Sequence, residues 1–530
     1  MTWIVVVADR IADAGLSVLR AAPDVELRSA VGDAAALRKL LPEAHALLVR
    51  SDTQVTGELI GLAPALRVIG RAGIGVDNID LATATRRGIA VLNAPGANTV
   101  SAAEHTLALL LSLVRRVPWA AQSMRAGAWD RKTFGGVELR GKTLGVVGLG
   151  RIGAHVASVA RALGMRVCAH DPYLPEQRAR DMGVELVALD DLLSQADAVT
   201  LHLPLTAETR HLLDATRLGR MKRGALLVNT ARGELVDEAA LLAAVTEGHL
   251  GGAALDVFAT EPLPADSPLR ASDRLLLTPH LAASTKEAQD RAALEICQAV
   301  LGALAQGDVG GAVNVAGVSG EVMRRVKPLL ELARRLGRMA GRLAPARVEE
   351  VEVEYGGPDD EAPRPLKLAA LEGLLGAMGL DSVSIVNAQT LAEERGIQSS
   401  RRMAAPLAGY EATVTVTVRH GTSSTAVVGA LVGERPRIVQ INGYRVDVPA
   451  EGHLLVVINR DVPGVIGRVG TILGETGVNI GVYHQSRRPS ASEALAAIAV
   501  DQPLPADAIQ RLGSLSDVLE VRVAELDGER

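Results

Sequence analysis

Arg232, Glu261 and His280 are the residues whose types could do acid–base chemistry on a small acid. Each comes shortly after a short apolar run of the kind that forms a buried strand. Because the carboxyl ends of parallel strands form the ligand-binding edge of a doubly wound sheet, we expect the three side chains to meet. Histidine titrates near neutral pH, a carboxylate can orient it, and the planar arginine fork can hold a carboxylate. The trio predicts transfer of a hydroxyl proton on a hydroxy acid.

A glycine-rich segment predicts the partner of that chemistry, a dinucleotide. Gly148, Gly150 and Gly153 follow an apolar strand and open a helical pattern. In such a loop the first glycine allows a tight turn, the second admits the pyrophosphate, and the third lets the helix pack on the strand. Asp171 ends the next strand, about twenty residues on, where a carboxylate would bind the ribose hydroxyls; the alternative is that it caps a turn before Pro172. A carboxylate there repels the 2′-phosphate of NADP, so the sequence favours NAD.

The surrounding elements predict an α/β fold. Short apolar runs alternate with helical segments through the first half of the chain, which is typical of parallel sheets covered by helices. A helix over 101–116 separates a first block from the block with the glycine fingerprint. Gly307–Gly311 indicates a linker, and alternating Val and Thr over 412–419 predict an antiparallel strand. From His453 the order strand, helix, strand, strand, helix, strand predicts a ferredoxin-like sandwich.

Composition excludes several classes of function. A net charge of −5 with interspersed signs, and 2% aromatic residues, argue against nucleic-acid binding. The sequence has no apolar stretch of the roughly 20 residues that span a bilayer and no signal-peptide pattern at its start. Cys168 and Cys297 lie in apolar runs, which favours reduced thiols in a cytoplasmic protein. The sequence has no His/Cys cluster with metal-ligand spacing, so we expect no metal.

The strings around the three polar residues resemble signatures of the D-isomer specific 2-hydroxyacid dehydrogenase family. They are NTARGELVDE at 229–238, GAALDVFATEP at 252–262 and TPHLAAST at 278–285. The resemblance implies a Rossmann-type NAD domain inserted in a flavodoxin-like substrate domain. It implies that His280 is the base in oxidation and the acid in reduction, that Glu261 pairs with it, and that Arg232 binds substrate. The implied cofactor contacts are Ile74, Gly148, Gly150, Arg151, Ile152, Gly153, Asp171, Leu203, Thr230, Ala231, Arg232, Asp256, His280, Leu281, Ala282 and Ala283.

Two further strings, GRAGIGVDN at 70–78 and NTVSAAE at 98–104, are similar to the phosphoglycerate dehydrogenase branch of that family. This implies oxidation of 3-phospho-D-glycerate to 3-phosphohydroxypyruvate, the first step of L-serine biosynthesis. Arg50 and Arg71 suit the phosphate because cations bind it through charge-assisted hydrogen bonds. Ile74 stands where threonine is frequent in the family and Ala282 where glycine is frequent; we expect backbone contacts at both. The implied substrate contacts are Arg50, Arg71, Gly73, Ile74, Gly75, Asn98, Arg232 and His280.

The same resemblance covers the whole chain and divides it into domains. It implies a substrate domain at 1–97 and 285–315, an NAD domain at 98–284, an α+β intervening domain at 318–451 and an ACT regulatory domain at 453–526. ACT domains bind amino acids between paired copies, so serine is the expected effector, at Asn459, Asp461 and Asn479. Paired nucleotide domains and paired ACT domains favour a homotetramer.

Other functions share the central motifs. A hydroxypyruvate/glyoxylate, 2-oxoglutarate or D-lactate reductase of the same family has the same triad and fingerprint. A non-catalytic, NAD-sensing corepressor of the same fold is the alternative from another class. The long region after residue 315 argues against all of these, because none of them needs it.

Overall fold

The first lobe is built on five parallel strands in the order β2-β1-β3-β4-β5. The computed structural model describes residues 2–315, 317–344, 347–380, 382–488 and 492–527 of the chain. The strand over 46–49 is buried along its whole length because helices cover both faces of a parallel sheet. The elements are β1 Trp3–Val7, α1 Asp13–Arg20, β2 Val25–Ser29, α2 Ala34–Leu40, β3 Ala46–Val49, α3 Gly57–Gly61, β4 Val68–Arg71, α4 Leu81–Arg86 and β5 Ala90–Leu92.

The second lobe contains seven parallel strands in the order β12-β11-β10-β9-β6-β7-β8. Its first strand, β6, lies between β7 and β9, so the direction of strand addition reverses there. Doubly wound sheets bind ligands at the carboxyl end of such a switch point. The elements are α5 Thr99–Arg115, α6 Val117–Arg125, β6 Thr143–Val147, α7 Arg151–Ala162, β7 Arg166–His170, α8 Glu176–Asp181, β8 Glu185–Leu186, α9 Leu189–Gln195, β9 Ala198–Leu201, α10 Ala215–Arg220, β10 Leu226–Asn229, α11 Glu238–Thr246, β11 Gly252–Leu255 and β12 Leu275–Leu277.

A long helix, α12 (Lys286–Gln306), carries the chain back to the first lobe. It packs on α1 and β4. Gly15 allows the close approach of the two helices, since a Cβ there would lie 2.3 Å from the Ala293 carbonyl oxygen. After α12, Asn314 donates to the Ile89 carbonyl and accepts from the Val91 N–H. The segment that the sequence indicates as a linker therefore leads directly onto the edge of the first sheet.

Two further sheets follow. The third has the order β14-β13-β15-β16-β17-β18, in which β13 and β14 are parallel and the other pairs antiparallel. The fourth has the order β20-β21-β19-β22, and its elements follow the predicted ferredoxin-like sequence. The elements are α13 Gly320–Arg325, α14 Lys327–Leu343, β13 Glu350–Gly356, α15 Pro363–Ala377, α16 Ala388–Glu394, β14 Gln398–Ala404, β15 Thr413–His420, β16 Ser423–Val432, β17 Arg435–Ile441, β18 Tyr444–Pro449, β19 His453–Arg460, α17 Val465–Glu475, β20 Ile480–Arg487, β21 Glu493–Val500, α18 Ala506–Gly513 and β22 Val518–Glu525.

The last sheet is buried on both faces. Leu455 and Val457 of β19 join the core formed with α17 and α18. Leu454 and Val456, which point to the opposite face, join the core of the third region. Successive strand residues alternate between faces, so this double burial explains why β19 is almost continuously apolar. The last sheet is thus packed onto the region before it.

No helix among the described residues is both long and apolar enough to cross a bilayer. Over the same ranges, no group of three His, Cys, Asp or Glu side chains could hold a metal ion. Cys168 and Cys297 are buried free thiols, and burial raises their pKa to about 11 and about 12. Both therefore remain protonated at neutral pH.

Candidate active site between the two lobes

A cleft of about 980 Å³ separates the first and second lobes. Its walls include strand ends and loops of both sheets, as expected for the carboxyl edge of doubly wound folds. Most of the site residues predicted from the sequence line it. These are Arg50, Arg71, Gly73, Ile74, Gly75, Asn98, Gly150, Arg151, Ile152, Leu203, Thr230, Ala231, Arg232, Glu261, His280, Ala282 and Ala283.

The glycine fingerprint has the backbone geometry that a dinucleotide requires. Gly148 has φ +92°, and a Cβ there would lie 2.5 Å from the His202 carbonyl oxygen. Gly153 lies under the loop, where a Cβ would be 2.0 Å from the Gly148 carbonyl oxygen. Gly150 precedes α7, and of the described atoms none lies within 4 Å of a Cβ built on it. The loop therefore leaves open space in front of a helix N-terminus, which suits a pyrophosphate.

Asp171 joins the end of β7 to the glycine loop. One carboxylate oxygen accepts from the Leu149 N–H at 2.9 Å and the other from the Tyr173 N–H at 3.0 Å. The carboxylate thus does cap the turn after β7, as the alternative interpretation expected. Each carboxylate oxygen can accept a second hydrogen bond. The cap and ribose binding are therefore compatible.

His280 and Glu261 form a direct pair at the mouth of the cleft. The imidazole Nδ1 lies 2.7 Å from Glu261 Oε2, and Glu261 Oε1 accepts from the Phe258 N–H at 3.0 Å. The hydrogen bond with Glu261 raises the pKa of His280, against the opposing effect of burial. Burial alone would raise the pKa of Glu261, but the hydrogen bonds from His280 and Phe258 hold it below its usual value. The pair is therefore arranged to stabilise an imidazolium.

His280 owes its position to a buried carboxylate behind it. His280 has a left-handed backbone, φ +54°, which is uncommon for a residue other than glycine. Its N–H donates to the Asp256 carbonyl, and the Asp256 carboxylate accepts from the N–H groups of Leu281 and Ala282. Asp256 is fully buried. It therefore shapes the loop from behind the cleft wall, and its predicted contact with the cofactor stays a prediction, as does that of Leu281.

Sequence reasoning missed one partner of Asp256. The His105 imidazole lies 3.1 Å from Asp256 Oδ1, and Thr278 donates to the same oxygen at 2.6 Å. Burial would raise the pKa of Asp256, but the hydrogen bonds from His105, the Leu281 N–H and Thr278 outweigh it and lower the pKa. His105 and Asp256 are far apart in the chain. A local pattern could not have paired them.

Arg232 reaches across the cleft from the loop after β10. Asn229 fixes this loop, because its amide donates to the Arg232 carbonyl and its oxygen accepts from the Ala231 N–H. The Arg232 guanidinium contacts the Asp77 carboxylate of the first lobe at 3.0 Å. Asp77 is a second residue that the sequence reasoning did not select. The arginine expected to hold a substrate carboxylate is therefore already paired with a protein carboxylate.

The first lobe supplies further polar groups to the cleft. Arg71 donates to the Asn78 side chain, and burial lowers the pKa of Arg71 to about 10, helped by repulsion from Arg232. Asn98 Oδ1 is buried and lacks a hydrogen-bond partner within the described part of the chain. His202, which follows β9 of the second lobe, also lines the cleft, and burial lowers its pKa to about 4, so it is neutral. Arg50 and Arg71 make the first-lobe side of the cleft cationic, which favours an anionic ligand.

Comparisons with known proteins agree with this geometry. A family model described as the NAD binding domain of D-isomer specific 2-hydroxyacid dehydrogenases matches residues 107–282. The D-3-phosphoglycerate dehydrogenase intervening domain matches residues 325–442, and the ACT domain matches 453–517. The D-3-phosphoglycerate dehydrogenase of Mycobacterium bovis is 43% identical over 528 residues, which is 99% of this chain and 99% of that protein. The chain belongs to the D-3-phosphoglycerate dehydrogenase family.

Other members and solved structures extend the comparison. The D-3-phosphoglycerate dehydrogenase of Synechocystis sp. is 39% identical over 98% of this chain and 94% of its own length. The TT0316 protein of Thermus thermophilus is 40% identical, with a TM-score of 0.52 over 57% of this chain and 97% of that one. The NAD-dependent formate dehydrogenase of Staphylococcus aureus, solved with NAD, is 33% identical, with a TM-score of 0.52 over 58% and 96%. The predicted family and fold class are confirmed.

The three expected effector residues of this phosphoglycerate dehydrogenase family member do not meet within one chain. Asn459 is buried at the end of β19, and the nearby Asp461 pairs with Arg487 at 2.9 Å. Asn479 is exposed just before β20, and its amide donates to Asp501. Within one copy of the domain the three residues form no cluster, and the effector site expected between paired copies stays a prediction.

Strand direction explains the separation. β19 and β20 both run antiparallel to β21, and His453 and Ile480 both oppose Val500. Asn479 therefore lies beside the start of β19, whereas Asn459 lies at its other end. The two residues are about 20 Å apart at roughly 3.3 Å per strand residue. Only a second copy could bring such residues to one ligand.

Proposed function

We propose that this chain oxidises 3-phospho-D-glycerate to 3-phosphohydroxypyruvate with NAD, the first step of L-serine biosynthesis. The observation that carries the proposal is the 2.7 Å pair of His280 and Glu261, in a cleft that also presents a glycine fingerprint. Relatives named D-3-phosphoglycerate dehydrogenase match nearly the whole chain, including the intervening and ACT regions after the two lobes. That full-length match favours this substrate over glyoxylate, 2-oxoglutarate or lactate.

In this proposal His280 moves the proton. With Glu261 on Nδ1, the imidazole keeps its proton there and presents a free Nε2, which takes the substrate hydroxyl proton. Glu261 then stabilises the imidazolium, consistent with the raised pKa of His280. Arg232 holds the substrate carboxylate so that the reacting carbon faces the cofactor.

The remaining residues bind and orient. NAD, when bound, supplies the acceptor for the hydride. Gly148, Gly150 and Gly153 with the start of α7 would hold its pyrophosphate, and Asp171 would hold the ribose and disfavour NADP. The substrate phosphate would lie against Arg50 and Arg71. The set of predicted cofactor and substrate contacts is retained as part of this proposal.

Regulation and assembly complete the proposal. Serine is proposed as a feedback inhibitor at Asn459, Asp461 and Asn479, in a site formed between two ACT domains. A homotetramer in the cytoplasm fits paired nucleotide domains and paired ACT domains. The proposed domains are 1–97 with 285–315, 98–284, 318–451 and 453–526, supported by one sheet within each.

The test is a steady-state assay of NAD reduction with 3-phospho-D-glycerate, 2-hydroxyglutarate and D-lactate. We expect the highest kcat/KM for 3-phospho-D-glycerate, and a lower rate when serine is added. A higher kcat/KM for another of these acids would overturn the proposed substrate assignment. No turnover of any of the three would instead favour the corepressor class.

A further inference from the structure

Asp77 is a carboxylate in the cleft that the proposed chemistry does not use. It lies in the loop after β4, accepts a hydrogen bond from Arg232 Nε at 3.1 Å and makes an ion-pair contact with Nη2 at 3.0 Å. The contact joins the two lobes, because Arg232 follows β10 of the second sheet. Gly75 lies directly beneath it, since a Cβ there would be 2.2 Å from Arg232 Nη2. The guanidinium is thus held over the loop by Asp77.

The charges around Asp77 explain why a carboxylate is stable there. Arg50, Arg71 and Arg232 all line the same cleft. Arg71 is repelled by both other arginines and attracted by Asp77. Asp9 also acts on Arg71, but its carboxylate accepts from Thr53 and from the Arg50 N–H. Asp77 therefore neutralises part of this cationic cluster from inside the cleft.

A substrate carboxylate would need the same donors. Asp77 Oδ2 contacts both the Nε and Nη2 groups of Arg232. That edge of a guanidinium is one that a carboxylate binds with two parallel hydrogen bonds. The third group, Nη1, donates to the Ala231 carbonyl. An incoming carboxylate that binds Arg232 through this edge must take the place of Asp77.

We propose that Asp77 is a resident counterion of Arg232 that the substrate carboxylate displaces, so that Asp77 sets the affinity of the cleft for carboxylates. The inference rests on the proposed role of Arg232 as the carboxylate ligand. Asp77 holds the arginine in place between turnovers and prevents weakly bound carboxylates from occupying it. The cost is a weaker ground-state complex with the true substrate.

The displacement has a measurable direction. The Asp77 side chain is 63% exposed and that of Arg232 27%, so the pair is a partly solvated one. Removing one partner of such an ion pair changes an equilibrium constant by about two- to fivefold. Removing the charge of Asp77 should tighten carboxylate binding by this factor. If Asp77 served only to support the loop, its removal would weaken binding.

The experiment compares Asp77→Asn with the wild-type enzyme. One measurement is the KM for 3-phospho-D-glycerate at saturating NAD. The other is the dissociation constant of D-glycerate, which has the carboxylate but no phosphate, from thermal shifts without NAD. The matched control is Asp52→Asn, which removes an equal charge from an exposed residue near Arg50 that bonds to Ser51.

We expect Asp77→Asn to lower both constants about two- to fivefold and Asp52→Asn to leave them within about 1.5-fold. A rise or no change in the D-glycerate constant for Asp77→Asn would overturn the inference. An equal decrease in Asp52→Asn would also overturn it, because the effect would then be one of general charge. The wild-type enzyme could fail to oxidise 3-phospho-D-glycerate while Asp77→Asn still binds D-glycerate more tightly. That result would support the counterion role of Asp77 and refute only the proposed substrate.

Discussion

Replacing Glu261 with glutamine tests the acid–base pair most directly. The two oxygens of the Glu261 carboxylate have separate tasks: Oε1 accepts from the Phe258 N–H and Oε2 bonds Nδ1 of His280. Glutamine offers one oxygen and one NH₂ group. If the oxygen remains on Phe258, the NH₂ group donates to Nδ1 and the imidazole carries its proton on Nε2. In that form His280 cannot accept the substrate proton.

The size of the effect follows from the alternative rotamer. Turning the amide restores an acceptor to His280 but places NH₂ against the Phe258 N–H. A donor left unpaired in this way costs about 1–3 kcal/mol. The population of enzyme in which the amide oxygen faces His280 is then reduced about 5- to 150-fold, since about 1.4 kcal/mol corresponds to a factor of ten. Loss of the charged partner of the imidazolium adds to this. We therefore expect kcat/KM of Glu261→Gln to fall by about 10²-fold.

The pH dependence should change in a defined direction. Oxidation needs neutral His280, so kcat/KM declines as the pH falls through the pKa of His280. Glu261 raises that pKa through its hydrogen bond. Without the carboxylate the pKa of His280 falls, and the acid limb of the profile should move to lower pH. In the reductive direction His280 must be protonated, so the same decrease in its pKa makes the rate fall at a lower pH than in the wild-type enzyme.

The assay is the pH profile of kcat/KM for 3-phospho-D-glycerate in both variants. Glu238→Gln is the matched control, because Glu238 also accepts a backbone N–H in this segment, that of Ala259. It should retain the wild-type profile. A Glu261→Gln enzyme with an unmoved acid limb and a rate within about threefold of wild type would refute the reasoning about the pair.

Three further predictions concern the groups around the pair. Asp256→Asn should lower the free energy of unfolding by about 2–4 kcal/mol in urea denaturation, because four donors converge on that carboxylate and the NH₂ group of an amide must face at least one of those donors. A change below about 0.5 kcal/mol would contradict the role of Asp256 in the loop. Gly148→Ala should raise the dissociation constant of NADH at least about tenfold in a fluorescence titration, since φ is +92° and the Cβ would meet a carbonyl at 2.5 Å; unchanged binding would exclude this loop as the pyrophosphate site. Arg50→Ala should raise the KM for 3-phospho-D-glycerate about 10- to 100-fold with little effect on D-glycerate, because one charge-assisted contact is lost; equal effects on both would exclude the phosphate role.

The sequence was sufficient for elements whose pattern is local. β3 and β9 are short, fully buried and mostly apolar runs, the pattern from which the sequence predicts a parallel sheet covered by helices. β14 shows no such pattern because its sequence, QSSRRMA, is polar and it lies at the edge of its sheet, where no apolar alternation is needed. β8 has only two residues, which is too short for any pattern.

The same distinction applies to the site. His280 and Glu261 could be paired in advance because each follows a predicted strand end and acid–base chemistry needs both residue types. Asp77 could not be found, since its contact with Arg232 depends on how the two lobes face each other. His105 lies on a helix with no local sign of function, and only the packing of α5 against the sheet brings it to Asp256.

If serine binds between two ACT domains as proposed, the distance between Asn459 and Asn479 within one ACT sheet determines when the enzyme can be inhibited. A serine pocket that takes one residue from each of two chains exists only while those chains are associated. Dilution below the dissociation constant of the subunits would dismantle the pocket even at a constant serine concentration. The enzyme would then respond to its own abundance as well as to the end product, and feedback would be weakest where little enzyme is made.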